Sequence, residues 1–173
     1  MKKVLLLMLL LGSCVLFSQN LNMQNGSFTR CSGTFYDSGG NAGNYSADES
    51  YTMTICPGTP GQYVQLAFTA WSVEGEPYDF MTIYNGTGTG GTVIASYGDA
   101  SPITCGGGII GSSDPSGCIT IAFESDSGGQ YSGWAATMSC TATPFSSPGA
   151  GNAVCSGSNP FCADAGPLEF PNT

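Results

Sequence analysis

The sequence contains no histidine. That removes the commonest general base near neutral pH, the Ser–His and Cys–His nucleophile pairs, and histidine-ligated zinc. Charge is scarce, at 9% of residues, and positive charge is scarcer still. Lys2 and Lys3 stand at the very start; beyond residue 18, Arg30 alone faces twelve carboxylates, which leaves −11. Such a surface repels phosphate backbones and anionic lipid heads, so nucleic-acid binding is disfavoured. Divalent cations and neutral or basic partners are electrostatically admitted, although acidity by itself also serves only to keep a chain soluble. No Cys-x-x-Cys pair occurs, which makes zinc a poor reading of the cysteines. No window carries apolar residues at helical spacing, and the one apolar run, Val4 to Leu11, is too short to span a membrane.

That run has a use of its own. Met1-Lys2-Lys3, the apolar stretch and the small residues up to Ser18 have the layout of a secretory signal peptide over 1–18, with cleavage expected after Ser18. Leu11-Gly12-Ser13-Cys14 loosely matches a lipoprotein signal, but Val15-Leu16-Phe17 would leave an apolar patch behind a lipidated Cys14, so plain secretion or display outside the cell is expected. Cys31, Cys56, Cys105, Cys118, Cys140, Cys155 and Cys162 would remain, and in an exported chain these read as disulfide staples with one thiol left over.

Residues 19–30 read as a polar lead-in. From 31 to 140 the chain repeats one plan, strand then turn. Apolar residues alternate with polar ones at Tyr51, Met53 and Ile55, at Val64, Leu66 and Phe68, and at Val93, Ala95 and Tyr97. The rows Ile119, Ile121, Phe123 and Trp134, Ala136, Met138 do the same, and Phe80–Tyr84 continues the theme. Period two in β-branched and aromatic residues predicts half-buried strands. Pro57–Gly61, Asn85-Gly86, Cys105–Gly108 and Ser127–Gly129 supply the turns. The expected fold is all-β, an antiparallel β-sandwich stapled by disulfides. Residues 141–151 form a Pro/Gly/Ser-rich linker, and 152–173 read either as the start of a further cysteine-containing module or as a disordered tail.

Two acidic loops carry the functional interest. Glu74, Glu76 and Asp79 place three carboxylates in six residues between two strands, and Glu124 and Asp126 follow a core strand. Like charges held this close repel unless something neutralises them. A solvated acidic edge is the plainest reading. A calcium site is the second, since calcium takes six to eight oxygens and Gly-rich loops offer carbonyls; the spacing is not that of an EF-hand. A carboxylate pair for glycoside hydrolysis is the third, and a tightly turned sandwich offers it little cleft.

Residues 31–140 resemble a CUB domain of the bacterial, Bacteroidetes-type secreted kind. The resemblance rests on Cys31-Ser-Gly-Thr-Phe-Tyr-Asp-Ser-Gly-Gly40, Tyr45, Tyr51-Thr-Met-Thr-Ile55, Val64-Gln-Leu-Ala-Phe-Thr69 and Tyr78-Asp79 with Ile83-Tyr-Asn-Gly86. Ser116–Asp126 and Gly133-Trp134 complete it. It implies a CUB-like jelly roll and a calcium ion held by Glu74, Asp79 and Asp126, with Glu76 as the rival of Glu74 because this loop is short. It also implies a partner docking beside the ion, frequently through a basic side chain. The cysteine positions depart from the animal pattern; the expected pairs are Cys31–Cys56 and Cys118–Cys140, with Cys105 unassigned.

Trp71 and Trp134 are expected in the core rather than on a sugar-stacking surface. Sequons at Asn25, Asn44 and Asn85 matter only in a eukaryote, and Asn85-Gly86 is better read as turn chemistry. Thr87–Gly91 lacks the lysine and helix of a phosphate loop. The expected function is a non-catalytic extracellular binding or adhesion module, a metal-binding one, for protein or carbohydrate ligands. It is expected to be joined to further domains of the same polypeptide. The rival is an accessory domain of a secreted multidomain protease or other hydrolase.

Overall fold

The computed structural model describes residues 20–146, apart from 76, 99–100 and 104–107. Among them there is no helix. Ten strands form two five-stranded sheets that face each other as a β-sandwich. The first sheet contains β1 (Leu21–Asn22), β3 (Thr34–Tyr36), β10 (Gly133–Thr141), β5 (Tyr63–Ser72) and β8 (Ile109–Gly111), in that spatial order. The second contains β2 (Gly26–Thr29), β4 (Ser50–Cys56), β9 (Ile119–Glu124), β6 (Phe80–Asn85) and β7 (Val93–Tyr97).

The alternating rows of the sequence are the two inner faces. Met53, Ile55, Val64, Leu66, Met81, Ile83, Ile119, Ile121, Phe123, Trp134, Ala136 and Met138 are all buried in one cluster. Trp134 is its largest fully buried side chain, with Phe123 4.8 Å and Phe35 5.6 Å away between ring centres. Trp71 is half-buried and stacks on Trp134 at 6.0 Å, so both tryptophans belong to the core rather than to a ligand platform.

Three expectations are corrected. The sheets are mixed rather than antiparallel throughout: β1 pairs with β3, and β2 with β4, in parallel. The segment read as a polar lead-in supplies both of those edge strands, because Leu21 and Met23 drop into the core between polar neighbours. A two-residue alternation is too short to stand out from a loop in the sequence.

The disulfides also pair differently, Cys31 with Cys140 and Cys56 with Cys118. Strand register explains both. β3 and β10 set Thr34 against Thr137, and three residues outward along the chain on each side lie Cys31, just before β3, and Cys140. β4 and β9 set Ile55 against Ile119, and the next position outward holds Cys56 and Cys118. Each bridge therefore ties the ends of two neighbouring strands of one sheet. Cys105, Cys14, Cys155 and Cys162 lie outside the described residues, as do the leader, Glu76 and the chain beyond 146.

This topology gives the sandwich two unlike ends. Both disulfides close one end, where Arg30 donates its backbone N–H to Cys56 O. The opposite end gathers the loop between β3 and β4, the loop between β5 and β6, and the loop after β9. Asp37, Asp48, Glu49, Glu74, Asp79 and Asp126 all lie in those loops.

Candidate metal centre

β9 lies between β4 and β6, and its last residue, Glu124, is in register with both Ser50 and Phe80. Asp126, two residues past β9, thereby comes beside Asp79, one residue before β6. The loop between β5 and β6 turns at Gly75, whose carbonyl accepts from both Tyr78 N (3.0 Å) and Asp79 N (3.1 Å). Its φ of 104° is open to glycine and strained for other residues. That turn rolls Asp79 inward until its side chain is fully buried, and leaves Tyr78 on the surface.

Glu74 leaves the first sheet, whereas Asp79 and Asp126 belong to the second. Each contributes a carboxylate oxygen, and the three oxygens lie within 4.8 Å of one another. The structure thus brings Glu74, Asp79 and Asp126 together.

The centre of this group is Tyr45. Its hydroxyl donates to Asp79 Oδ2 at 2.5 Å, with Gly129 O 3.1 Å away as a second acceptor, and it receives Glu74 N–H at 3.2 Å. Burial, reinforced by the hydrogen bond to Asp79, holds the phenol above its ordinary range, so it remains a donor. Asp79 Oδ1 accepts Asp126 N–H at 2.9 Å, and Asp126 Oδ1 accepts Gly128 N–H at 2.8 Å. Gly129 presses its backbone on Glu74: a Cβ there would stand 2.0 Å from Oε2, at a φ of +63°. Glu74 Oε2 is covered and has no hydrogen-bond partner. The Glu74 carboxyl is pushed above the usual range by burial first, then by the charges of Asp126 and Asp79.

Such an arrangement suits a hard cation. Three carboxylates of unlike strands converge, one oxygen is covered and unpaired, and Arg30, the one cationic residue of the described chain, sits at the disulfide end. A lone tyrosine in a polar loop carries no periodic signal, so no site role for Tyr45 is legible in the sequence. The same holds for the site roles of Asp37 and Glu49.

Asp37 is a second kind of acidic residue. Its side chain is fully buried against β10, and its Oδ1 accepts Gly39 N–H at 2.7 Å while Oδ2 has no partner. Burial, with the charge of Glu49 adding, pushes its pKa up to about 6. A carboxyl raised in the folded state binds its proton more tightly there than in the unfolded chain. Its contribution to stability is present at low pH and lost as pH rises towards 6. The displacement corresponds to roughly 3 kcal/mol. Urea unfolding of Asp37→Asn at pH 4 and pH 7 is therefore expected to show a smaller fall in stability than wild type; identical falls would refute the assignment.

No protein-family model and no curated protein matches the chain. Solved structures do match its fold. The CUB1-EGF-CUB2 domains of rat MASP-1 align at 19% identity with a TM-score of 0.55, covering 68% of this chain and 43% of that one. The full extracellular region of zebrafish Gpr126/Adgrg6 aligns at 22% and 0.56, covering 70% and 15%. The human MASP-1/3 CUB1-EGF-CUB2 structure aligns at 22% and 0.53, covering 70% and 44%. The chain spans less than half the length of each of these structures. The fold they share with it is the CUB-type β-sandwich.

Proposed function

We propose that this chain is a non-catalytic, exported binding module in which calcium, held by Glu74, Asp79 and Asp126, orders the acidic end for an extracellular protein or glycan partner. The convergence of three carboxylate oxygens within 4.8 Å carries the reading. Two further features support it. The signal-like leader and the two disulfides fit an oxidising compartment outside the cell, where calcium is plentiful. The described chain ends on the opposite side: Phe145 N–H bonds to Ser112 O, beside the β5 residue Val64, whose register partner is Cys140. The last described residues thus leave the acidic end uncovered.

Residues of this chain would do most of the work around the ion. Asp79 and Asp126 would be held by the bonds to Tyr45, Asp126 N–H and Gly128 N–H, and Glu74 would bring the first sheet to the second. Calcium would neutralise their mutual repulsion and pin the two loops together. Exposed Tyr78, next to Asp79, and exposed Tyr131, after Gly129-Gln130, offer a partner apolar and hydrogen-bonding surface on the same loops.

Calorimetry on the purified chain tests the reading. Wild type is expected to bind one equivalent of calcium, and Asp126→Ala to lose the heat. Absence of both heat and thermal shift at millimolar calcium would overturn it. Ligand capture with and without a chelator then identifies the partner, which is expected to be retained only with calcium.

A further inference from the structure

The loop before β4 forms a third wall of the acidic end, and it is fastened to the Asp126 loop at several points. Asp48 N–H bonds to Asp126 O at 2.8 Å. Ser125 N–H bonds to Glu49 O at 3.0 Å, and Glu49 N–H to Ser125 Oγ at 3.0 Å. Ser125 Oγ in turn donates to Ser46 O at 2.9 Å. Asp48 takes a φ of 57°, the one positive value at a non-glycine among the described residues. A left-handed backbone there costs free energy and persists only where surrounding bonds impose it.

The Glu49 side chain bridges across that residue. It is buried, and its Oε1 accepts Ser46 N–H at 2.9 Å and a short hydrogen bond from the Ser38 hydroxyl. One carboxylate oxygen thus closes the 46–49 turn on itself and ties it to Ser38, near the start of the same loop. Glu49 is not one of the three converging carboxylates. Its backbone instead holds Ser125, the residue before Asp126.

We propose that Glu49 is a positioning residue of the acidic centre: it fixes the strained 46–49 turn, and that turn sets Asp126 at the distance a calcium ion needs. The inference rests on the calcium reading given above. Loss of a group that orients a metal ligand commonly weakens affinity by about 10-fold or more.

Calcium titration of the full chain, with near-ultraviolet circular dichroism to check folding, tests it. Glu49→Ala removes the acceptor and is expected to weaken calcium binding by about 10-fold. Glu49→Gln keeps an oxygen facing Ser38 and Ser46 and is expected to retain most of the affinity. If Gln weakens binding as much as Ala does, Glu49 acts through its charge and the positioning role is overturned. Equal affinity in wild type and Glu49→Ala overturns it as well. Should Glu49→Ala fail to fold, Ser125→Ala decides: it cuts the hydroxyl bridge between Glu49 N–H and Ser46 O, and an unchanged affinity there sinks the proposal. A wild-type chain that binds no calcium overturns the calcium reading itself, and this inference with it.

Discussion

Asp79→Ala is expected to abolish calcium binding and to destabilise the protein even without calcium. Asp79 is fully buried and holds two neighbours at once, the Tyr45 hydroxyl on Oδ2 and Asp126 N–H on Oδ1. Truncation leaves both donors without that acceptor and opens a small cavity. An unsatisfied buried donor costs about 1–3 kcal/mol. The Tyr45 hydroxyl can turn to Gly129 O, so the unpaired Asp126 N–H and the cavity together lower stability by roughly 2–4 kcal/mol, on the order of 10 °C in Tm for a domain of this size. Asp79→Asn separates the two roles. Its amide oxygen can still receive Asp126 N–H, and its NH2 can donate to the Tyr45 oxygen while that hydroxyl turns to Gly129 O. The asparagine variant is therefore expected to keep most of the calcium-free Tm and yet lose the stabilisation that calcium confers on wild type. That stabilisation is about 2.7 kcal/mol when calcium stands 100-fold above Kd. Differential scanning calorimetry with calcium and with chelator reads both quantities; an Asp79→Asn protein stabilised by calcium as strongly as wild type would remove Asp79 from the site.

The contrast between these variants bears on what the sequence can disclose. The resemblance to CUB domains singled out Glu74, Asp79 and Asp126; the pairing of β6 with β9 accounts for Asp79 meeting Asp126, whereas Glu74 arrives from the other sheet. The inner-face rows were legible from strand periodicity: a residue such as Ile121 is apolar because it faces the other sheet, and its neighbours alternate with it. The roles of Tyr45 and Glu49 were not legible. Both residues sit in a polar loop, and their importance comes from partners 76 to 84 residues away, Ser125 and Gly129, which only the folded chain supplies. Leu21 and Met23 were hidden by brevity. A parallel edge strand of two residues presents no alternation to count, and it needs an existing β3 to pair with. The disulfide partners were hidden in another way. Sequence order brings Cys31 near Cys56, whereas β10, the last strand, is the one that pairs with β3.

Removing the Cys31–Cys140 bridge is expected to lower stability by about 4–5 kcal/mol, more than removing any one hydrogen bond of the acidic end. The bridge spans 109 residues, so in the unfolded chain it restrains nearly the whole sandwich. Cys56–Cys118 spans 62, and the logarithmic dependence on loop length makes it weaker by only about 0.5 kcal/mol. Had the bridges joined Cys31 to Cys56 and Cys118 to Cys140, each would have closed a short loop and contributed about 3.5 kcal/mol. Peptide mapping without reduction distinguishes the two patterns, because only the observed one links the peptide holding residue 31 to that holding residue 140. Urea unfolding of Cys31→Ala/Cys140→Ala against wild type measures the loss. The bridge lies at the end opposite Glu74, Asp79 and Asp126, so the folded double variant is expected to bind calcium with wild-type affinity. A variant as stable as wild type would show that the bridge adds nothing to the register of β3 and β10. A stable, folded variant with weakened calcium binding would show instead that the two ends are coupled through those strands.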